Sequence, residues 1–422
     1  MKIRLAYGRE GMEIEVPDRN LAGVLEMGQA APLAEPAGDL ERQLLEPLGG
    51  LPLAGMARQA ASACVVISDV TRPVPNKLLL PPVLRTLEEE GIGREKIVIL
   101  VATGLHRPST AGELDAMVGP RVLRDYRVVD HHAGVMGEQR FLGLTSRKTP
   151  VYIDREYCDA ELKITTGFIE PHLMAGFSGG RKLVAPGCAG EMTIKALHSP
   201  AFLEDAGCCE GSIEGNPLHH ELLEIARMAG HDFIVNVSLD QYGGVTGVFA
   251  GDPEEAHGRG VSFVRQSARA TLPAPADIVI TTSAGYPLDL TYYQAVKGMT
   301  AALPVVREGG MLIIAAKCEE GLGSPSFTQM ATAFRTADAF IATIMANPVV
   351  TDQWQLEECA RAARKAEIVL VSPAIAAKYG GSLFVRTATT VGEALAQGFT
   401  KLGAGARVAV IPKGPYTLVG VA

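Results

Sequence analysis

Three polar clusters stand where short apolar runs end. Asp69, Thr71 and Arg72 follow residues 63–68 (ACVVIS), His106 follows residues 96–102 (KIVILVA), and His172 follows residues 161–165 (ELKIT). A guanidinium binds anions and an imidazole exchanges protons near neutral pH. In an open α/β sheet, ligands bind outside the carboxyl ends of the strands. Arg72, His106 and His172 at three such ends therefore mark a ligand site more strongly than any one of them does. Taken singly, each also fits an ordinary role: Arg72 pairing with Asp69 on a solvated loop, either histidine donating to a carbonyl.

The next cluster is Gly176-Phe177-Ser178-Gly179-Gly180-Arg181-Lys182. Glycines let the backbone approach a ligand, and exposed amides in a turn, as at Ser178, Gly179 and Gly180, suit a phosphate. The spacing is not that of a phosphate-binding P-loop, and no GxGxxG is present. Lys182 can be a phosphate ligand or a covalent anchor, and an anchor needs a partly neutral amine, which the adjacent Arg181 favours. A flexible glycine turn with two exposed cations is the plain alternative. His198 ends a predicted helix over residues 191–197, without HExxH, HxH or paired carboxylates, so an all-protein zinc site has little support. Gln294 and Lys297, three apart on a predicted helix within residues 289–307, share a face that suits a carboxylate or hydroxy acid. The single tryptophan, Trp354, lies in Asp352-Gln353-Trp354-Gln355 and either walls a pocket or caps a core. His131 and His132 read as structural, His219 and His220 as solvated at a helix start.

Apolar runs, Gly/Thr-rich loops and helical stretches alternate along the chain, again at residues 277–281, 311–315 and 367–371. That alternation predicts βαβ units: an α/β fold of two domains with mainly parallel, Rossmann-like sheets and the active site in the cleft between them. Residues 268–276 (ARATLPAPA), with two prolines and no periodicity, read as the boundary. The expected domains are 1–270, holding a cofactor and completed by a returning strand within 405–422, and 276–402.

Composition bounds the function. The 422 residues carry 47 acidic and 39 basic side chains, a net charge of −8. A nucleic acid or an anionic membrane needs a concentrated basic face, so neither is an expected partner. Seven scattered cysteines do not make a disulfide framework. The alternating start, MKIRLAY, reads as a strand and not a signal peptide, and no run nears the length of a membrane span. The expectation is a cytoplasmic enzyme with a small-molecule substrate.

The phrases Asp69-Val70-Thr71-Arg72-Pro73-Val74-Pro75, Ala102-Thr103-Gly104-Leu105-His106-Arg107 and Gly167-Phe168-Ile169-Glu170-Pro171-His172 resemble the nickel-dependent lactate racemase family. So do AGFSGGRK (residues 175–182), His198-Ser199, Tyr293-Gln294-Ala295-Val296-Lys297 and Asp352-Gln353-Trp354-Gln355, in order over most of the chain. The resemblance implies a racemase or epimerase of a 2-hydroxy acid, lactate or a related acid, working by reversible hydride transfer through a 2-keto acid. It implies a nickel-pincer nucleotide, a pyridinium mononucleotide with two sulfur arms, attached at Lys182 through a thioamide. His198 would be the one protein ligand to nickel, with a carbon and two sulfurs supplied by the nucleotide. Asp69 and Thr71, with Ser178, Gly179 and Gly180, would hold the nucleotide. His106 and His172 would be the two proton-transferring bases, Arg72 would bind the substrate carboxylate, and Gln294, Lys297 and Trp354 would close the pocket. Proteins that build the cofactor would be transient partners.

Two other functions compete. A nicotinamide- or flavin-dependent 2-hydroxyacid dehydrogenase also transfers hydride, but GxGxxG and an acidic ribose partner are missing. A non-catalytic nucleotide- or sugar-phosphate-binding protein would use AGFSGGRK alone and leave Arg72 and the three histidines without work.

Overall fold

Residues 63–68 consist of small and β-branched apolar side chains without alternation, as a strand covered on both faces requires. In the computed structural model, which describes residues 1–422 except Gln29, Gln241 and Ser382, Ala63–Ser68 is buried along its whole length. It lies inside a six-stranded sheet ordered Val245–Gly251, Phe233–Leu239, Leu162–Phe168, Ala63–Ser68, Ile97–Ala102, Arg127–Asp130. Only the Val245–Gly251 edge runs antiparallel. Val65, Ile67, Ile99, Val101, Ile164 and Val235 share one core with the flanking helices.

Register fixes where the loops begin. Ser68 pairs with Ala102, and Val66 with Thr165. Asp69, Thr103 and the end of the Leu162–Phe168 strand therefore leave the sheet at one level. That third strand is longer than its sequence suggests. Thr166 and Gly167 pair with Val235 and Asn236 instead of opening a loop, because a neighbouring strand offers their backbone partners.

A second six-stranded sheet, wholly parallel, is ordered Arg386–Ala388, Glu367–Val371, Val306–Ala315, Ala276–Thr282, Val408–Ile411, Leu21–Val24. The chain divides into two compact units. One comprises Met1–Gly28, His198–Gly211 and Ser267–Ala422, the other Gln29–Leu197 and Ser212–Gln266. The expected boundaries change accordingly. The N-terminal residues and His198 belong with the second sheet, and the strand near the C-terminus completes that sheet and not the first. The expected linker contains a strand, Arg269–Leu272, paired in parallel with Leu418–Val421. Such a partner nearly 150 residues away leaves no local pattern. Among the described residues, no helix is long and apolar enough to cross a membrane.

The helix carrying Gln294 and Lys297, Tyr292–Ala302, starts at Thr291, whose hydroxyl accepts the Gln294 N–H. It lies directly on the second sheet at Gly298. A Cβ there would stand 2.3 Å from the Thr282 carbonyl oxygen and 2.7 Å from Ile314 Cδ1. Alanine normally stabilises a helix interior by about 1 kcal/mol over glycine, but this contact is with backbone that cannot move aside. Gly298→Ala should therefore lower the melting temperature by several degrees; a thermal melt showing a gain would mean the helix does not approach so closely.

Candidate functional site

Asp69 is the fixed point of the strand-end cluster. It is 7% exposed, its Oδ2 lies 2.6 Å from His106 Nδ1, and its Oδ1 accepts the Thr71 hydroxyl at 2.6 Å. Burial alone would raise its pKa, but the hydrogen bonds from His106 and Thr71 outweigh it and hold the carboxyl below its ordinary value. An ionised Asp69 accepts Nδ1–H from His106, which leaves the imidazole Nε2 with its lone pair on a half-exposed ring. Arg72 does not pair with Asp69: its Nη1 stands 3.6 Å from Glu170 Oε1, and its side chain is one-third exposed. Arg107, beside His106, is held away by a bidentate pair with Glu113.

His172 sits on a two-residue strand, Pro171–His172, paired antiparallel with Gly176–Phe177. The turn between them aims the Met174 and Ala175 N–H groups at His172 Nδ1, at 3.3 and 3.2 Å. The other ring nitrogen, Nε2, is 2.7 Å from Lys182 Nζ. Asp69, Arg72, His106, Glu170, His172 and Lys182 thus belong to one unit, on loops leaving one end of its sheet.

Ser178, Gly179 and Gly180 shape the loop that presents Lys182. The Ser178 amide donates to the Glu170 carbonyl, its hydroxyl donates to the Phe168 carbonyl, and the Gly180 amide donates to Asn236 Oδ1 at 2.8 Å. The amides of Ser178 and Gly180, expected to be exposed for a phosphate, are thus bonded to Glu170 and Asn236. Gly179 has φ +78°, and a Cβ there would meet Asn236 Oδ1 at 2.6 Å. Sequence reading missed Asn236, although it is the one polar residue in the buried run FIVNV. Arg181 is no exposed cation. It is 1% exposed, donates to the Ala175 carbonyl at 2.8 Å and lies against His257, and burial pulls its guanidinium down to about 9. His219, expected in solvent, is buried, and burial followed by the charge of Arg181 lowers it to about 3. His131 bonds Asp154 and the Ala189 carbonyl inside the core, a structural role.

The other unit carries a second cluster. The His198 ring packs on Trp354 with centroids 4.7 Å apart, and the indole N–H donates to the Tyr293 hydroxyl at 3.1 Å. Trp354 lies in the first turn of the helix Gln353–Lys365 behind Asp352, whose backbone is left-handed (φ +71°) and whose carboxylate accepts the Ser324 hydroxyl. Gln294 and Lys297 are half-buried on the neighbouring helix that also bears Tyr293. Tyr293 and Asp352 are additions to the residues expected here. Among the described residues, no three His, Cys, Asp or Glu side chains converge as a metal site, so a metal on His198 would draw its remaining donors from a bound group.

The same helix buries Glu357 and Glu358, each 1% exposed. Glu358 stands 2.7 Å from the Arg361 guanidinium as an ion pair, and among the described residues no carboxyl oxygen of either Glu357 or Glu358 has a hydrogen-bond partner. Burial first, then Glu204 and Glu358, push Glu357 up to about 8 against the opposing pull of Arg361 and Arg364.

Two family models match the chain: the lactate racemase N-terminal domain over residues 7–208 and the lactate racemase C-terminal domain over residues 272–419. The lactate racemase of Thermoanaerobacterium thermosaccharolyticum is 31% identical over 422 residues, covering 99% of each chain. That of Lactiplantibacillus plantarum is 35% identical over 424 residues, also 99% of each. The solved lactate racemase apoprotein of T. thermosaccharolyticum superimposes with a TM-score of 0.93, covering 99% of this chain and 100% of that one. A Thermotoga maritima protein, at 18% identity and a TM-score of 0.67, shares the fold alone.

The buried carboxyl makes a pH prediction. Glu357 is protonated in the fold up to about pH 8 but ionises above about 4.5 once unfolded, so its contribution to stability is full below 4.5 and is lost as pH rises to 8. Glu357→Gln keeps the neutral shape and removes that loss. Its melting temperature should match wild type near pH 5 and exceed it increasingly towards pH 8.5. Parallel melting curves across this range would show that Glu357 does not titrate as a buried acid.

Proposed function

Because this chain belongs to the lactate racemase family and is an isomerase of the racemase class, we propose that it inverts the configuration of a 2-hydroxy acid. Lactate, the acid named for both relatives, is the first candidate. The observation that carries this reading is the strand-end constellation itself. An oriented imidazole base (His106 on Asp69), a second imidazole (His172), a part-exposed guanidinium (Arg72) and an amine (Lys182) leave one end of one sheet.

The Cα proton of a 2-hydroxy carboxylate is barely acidic, so inversion through a 2-keto acid needs a hydride acceptor. No side chain in this chain can be one. A nickel-pincer nucleotide fits what is present: a lysine amine on a rigid glycine loop to attach it, and one imidazole, His198, to ligate its metal. When bound, that group supplies a reversible hydride acceptor. The chain's own residues do the rest. Arg72, turned from Glu170, grips the substrate carboxylate through two parallel hydrogen bonds. His106 Nε2 takes the hydroxyl proton from one enantiomer, and Asp69 stabilises the imidazolium that results. His172 serves the opposite enantiomer once Lys182 is engaged. Gln294 and Lys297 bind the remaining carboxylate or hydroxyl oxygens, and Trp354 excludes water. Asp69 thereby acts on His106, and Thr71 fixes Asp69, alongside the nucleotide-holding role expected of the pair.

Enantiopure lactate and other 2-hydroxy acids, followed by chiral chromatography, test the reading on protein made in a cofactor-producing host. Inversion of one acid with nickel present and an adduct on Lys182 supports it; unmodified protein that copurifies with a dinucleotide would indicate a dehydrogenase. His106→Ala should lose inversion while keeping the adduct mass, and Lys182→Ala should lose the adduct. Asp69→Asn, which disturbs the imidazole tautomer, should lower kcat about 10²- to 10⁴-fold with a smaller change in KM.

A further inference from the structure

Trp354 is the only tryptophan of the chain, and it is 8% exposed. Its ring is tilted at 46° against that of His198, with centroids 4.7 Å apart. Its polar edge is tied elsewhere. An indole N–H can only donate, and the acceptor here is the Tyr293 hydroxyl oxygen at 3.1 Å. A buried indole N–H left without an acceptor costs stability, so this bond selects one setting of the ring.

Tyr293 is itself held from several sides. Its backbone N–H donates to the Leu322 carbonyl at 2.9 Å, and its ring stands edge-on to buried Phe327 with centroids 5.1 Å apart. The backbone at Gly323 passes so close that a Cβ there would lie 3.0 Å from Tyr293 Cβ. The Asp352 carboxylate, which accepts the Ser324 hydroxyl, faces the phenol. Burial first, then the charge of that carboxylate, raise the phenol above its ordinary pKa, so the hydroxyl stays an O–H. Asp352 takes a left-handed backbone, φ +71°, which aspartate and asparagine adopt more readily than other side chains. That conformation brings its carboxylate and the indole of Trp354, two residues on, to one hydroxyl.

We propose that Tyr293 is a positioning residue for Trp354: its hydroxyl accepts the indole N–H, Asp352 keeps that hydroxyl in place, and the indole is thereby set as the wall beside His198. Tyr293 acts through Trp354, and the setting of the ring does not require that Trp354 be the only neighbour of His198. The consequence for turnover rests on the functional reading above, in which Trp354 closes the pocket and His198 ligates the metal. A wall that rotates changes the space in which substrate is held, and a misplacement of about 1 Å there costs up to about 10²-fold in rate.

Full-length protein purified without cofactor gives the first readout, because a single tryptophan yields one emission band and one indole N–H resonance. Excited where tyrosine does not absorb, wild-type Trp354 should emit at short wavelength and resist quenching by acrylamide. With the tryptophan isotope-labelled, its N–H should exchange slowly in deuterated water. Tyr293→Phe keeps the ring on Phe327 and removes only the hydroxyl. Its emission should shift to longer wavelength, quenching should rise and the indole proton should exchange promptly, with a cooperative melt retained. Asp352→Asn keeps a residue suited to the left-handed backbone and should move all three readouts the same way by less. In enzyme loaded with cofactor, Tyr293→Phe should lower kcat about 10- to 100-fold with a smaller change in KM. Prompt exchange of the indole proton in wild type overturns the proposal, and if neither variant folds that measurement decides alone. Unchanged emission and exchange in a folded Tyr293→Phe overturn it too, as does a displaced indole with kcat unmoved. A slow indole proton in wild type, lost in Tyr293→Phe, in a protein that inverts no 2-hydroxy acid upholds the positioning and refutes the functional reading instead.

Discussion

Parallel register is the constraint on which the catalytic chemistry of this chain depends. In a parallel sheet, neighbouring strands end at the same side, and here Ser68 and Ala102 are paired residues. Loops of very different length and composition therefore start from one line. Asp69 can meet His106, 37 residues away, at 2.6 Å because both backbones are already fixed there. Chain entropy opposes so distant a contact, and the sheet core has offset it before the loops form. The same geometry brings the strand Leu162–Phe168 up to the line, and with it the hairpin that holds His172.

The two imidazoles on these loops are held in opposite ways. His106 is oriented by a carboxylate at Nδ1, which leaves Nε2 as a base. His172 is approached at Nδ1 by two backbone N–H groups and at Nε2 by the Lys182 amine. Nothing in the two histidine side chains differs; the difference lies in what the preceding turn and the neighbouring strand present. The chain thus places two like side chains in unlike surroundings.

Buried charge is treated differently in the two units. Around Lys182 it is a cation, Arg181, supported by carbonyls and neutral imidazoles. Along the Trp354 helix it is acid, Glu357 and Glu358, with one arginine paired to Glu358. Burying either without full compensation costs stability, and residues held that way cluster where function constrains them. The left-handed Asp352 at the start of the same helix is a further strained feature beside Trp354.

The sequence by itself carried the βαβ alternation, the strand Ala63–Ser68 to the residue, the helix ahead of His198, and the phrases that identify the family. These depend on local periodicity and on short motifs, which survive in one dimension. It misplaced what depends on distant partners. Residues 1–28 and His198 belong to the unit of the second sheet, and the supposed linker at Arg269–Leu272 is a strand paired with Leu418–Val421. Arg72 found Glu170 in place of Asp69, and the Ser178 and Gly180 amides turned inward to Glu170 and Asn236. Residue type sets which hydrogen bonds a side chain can make. Only the folded backbone decides which partner lies within 3 Å, and so which nitrogen of His106 keeps the proton.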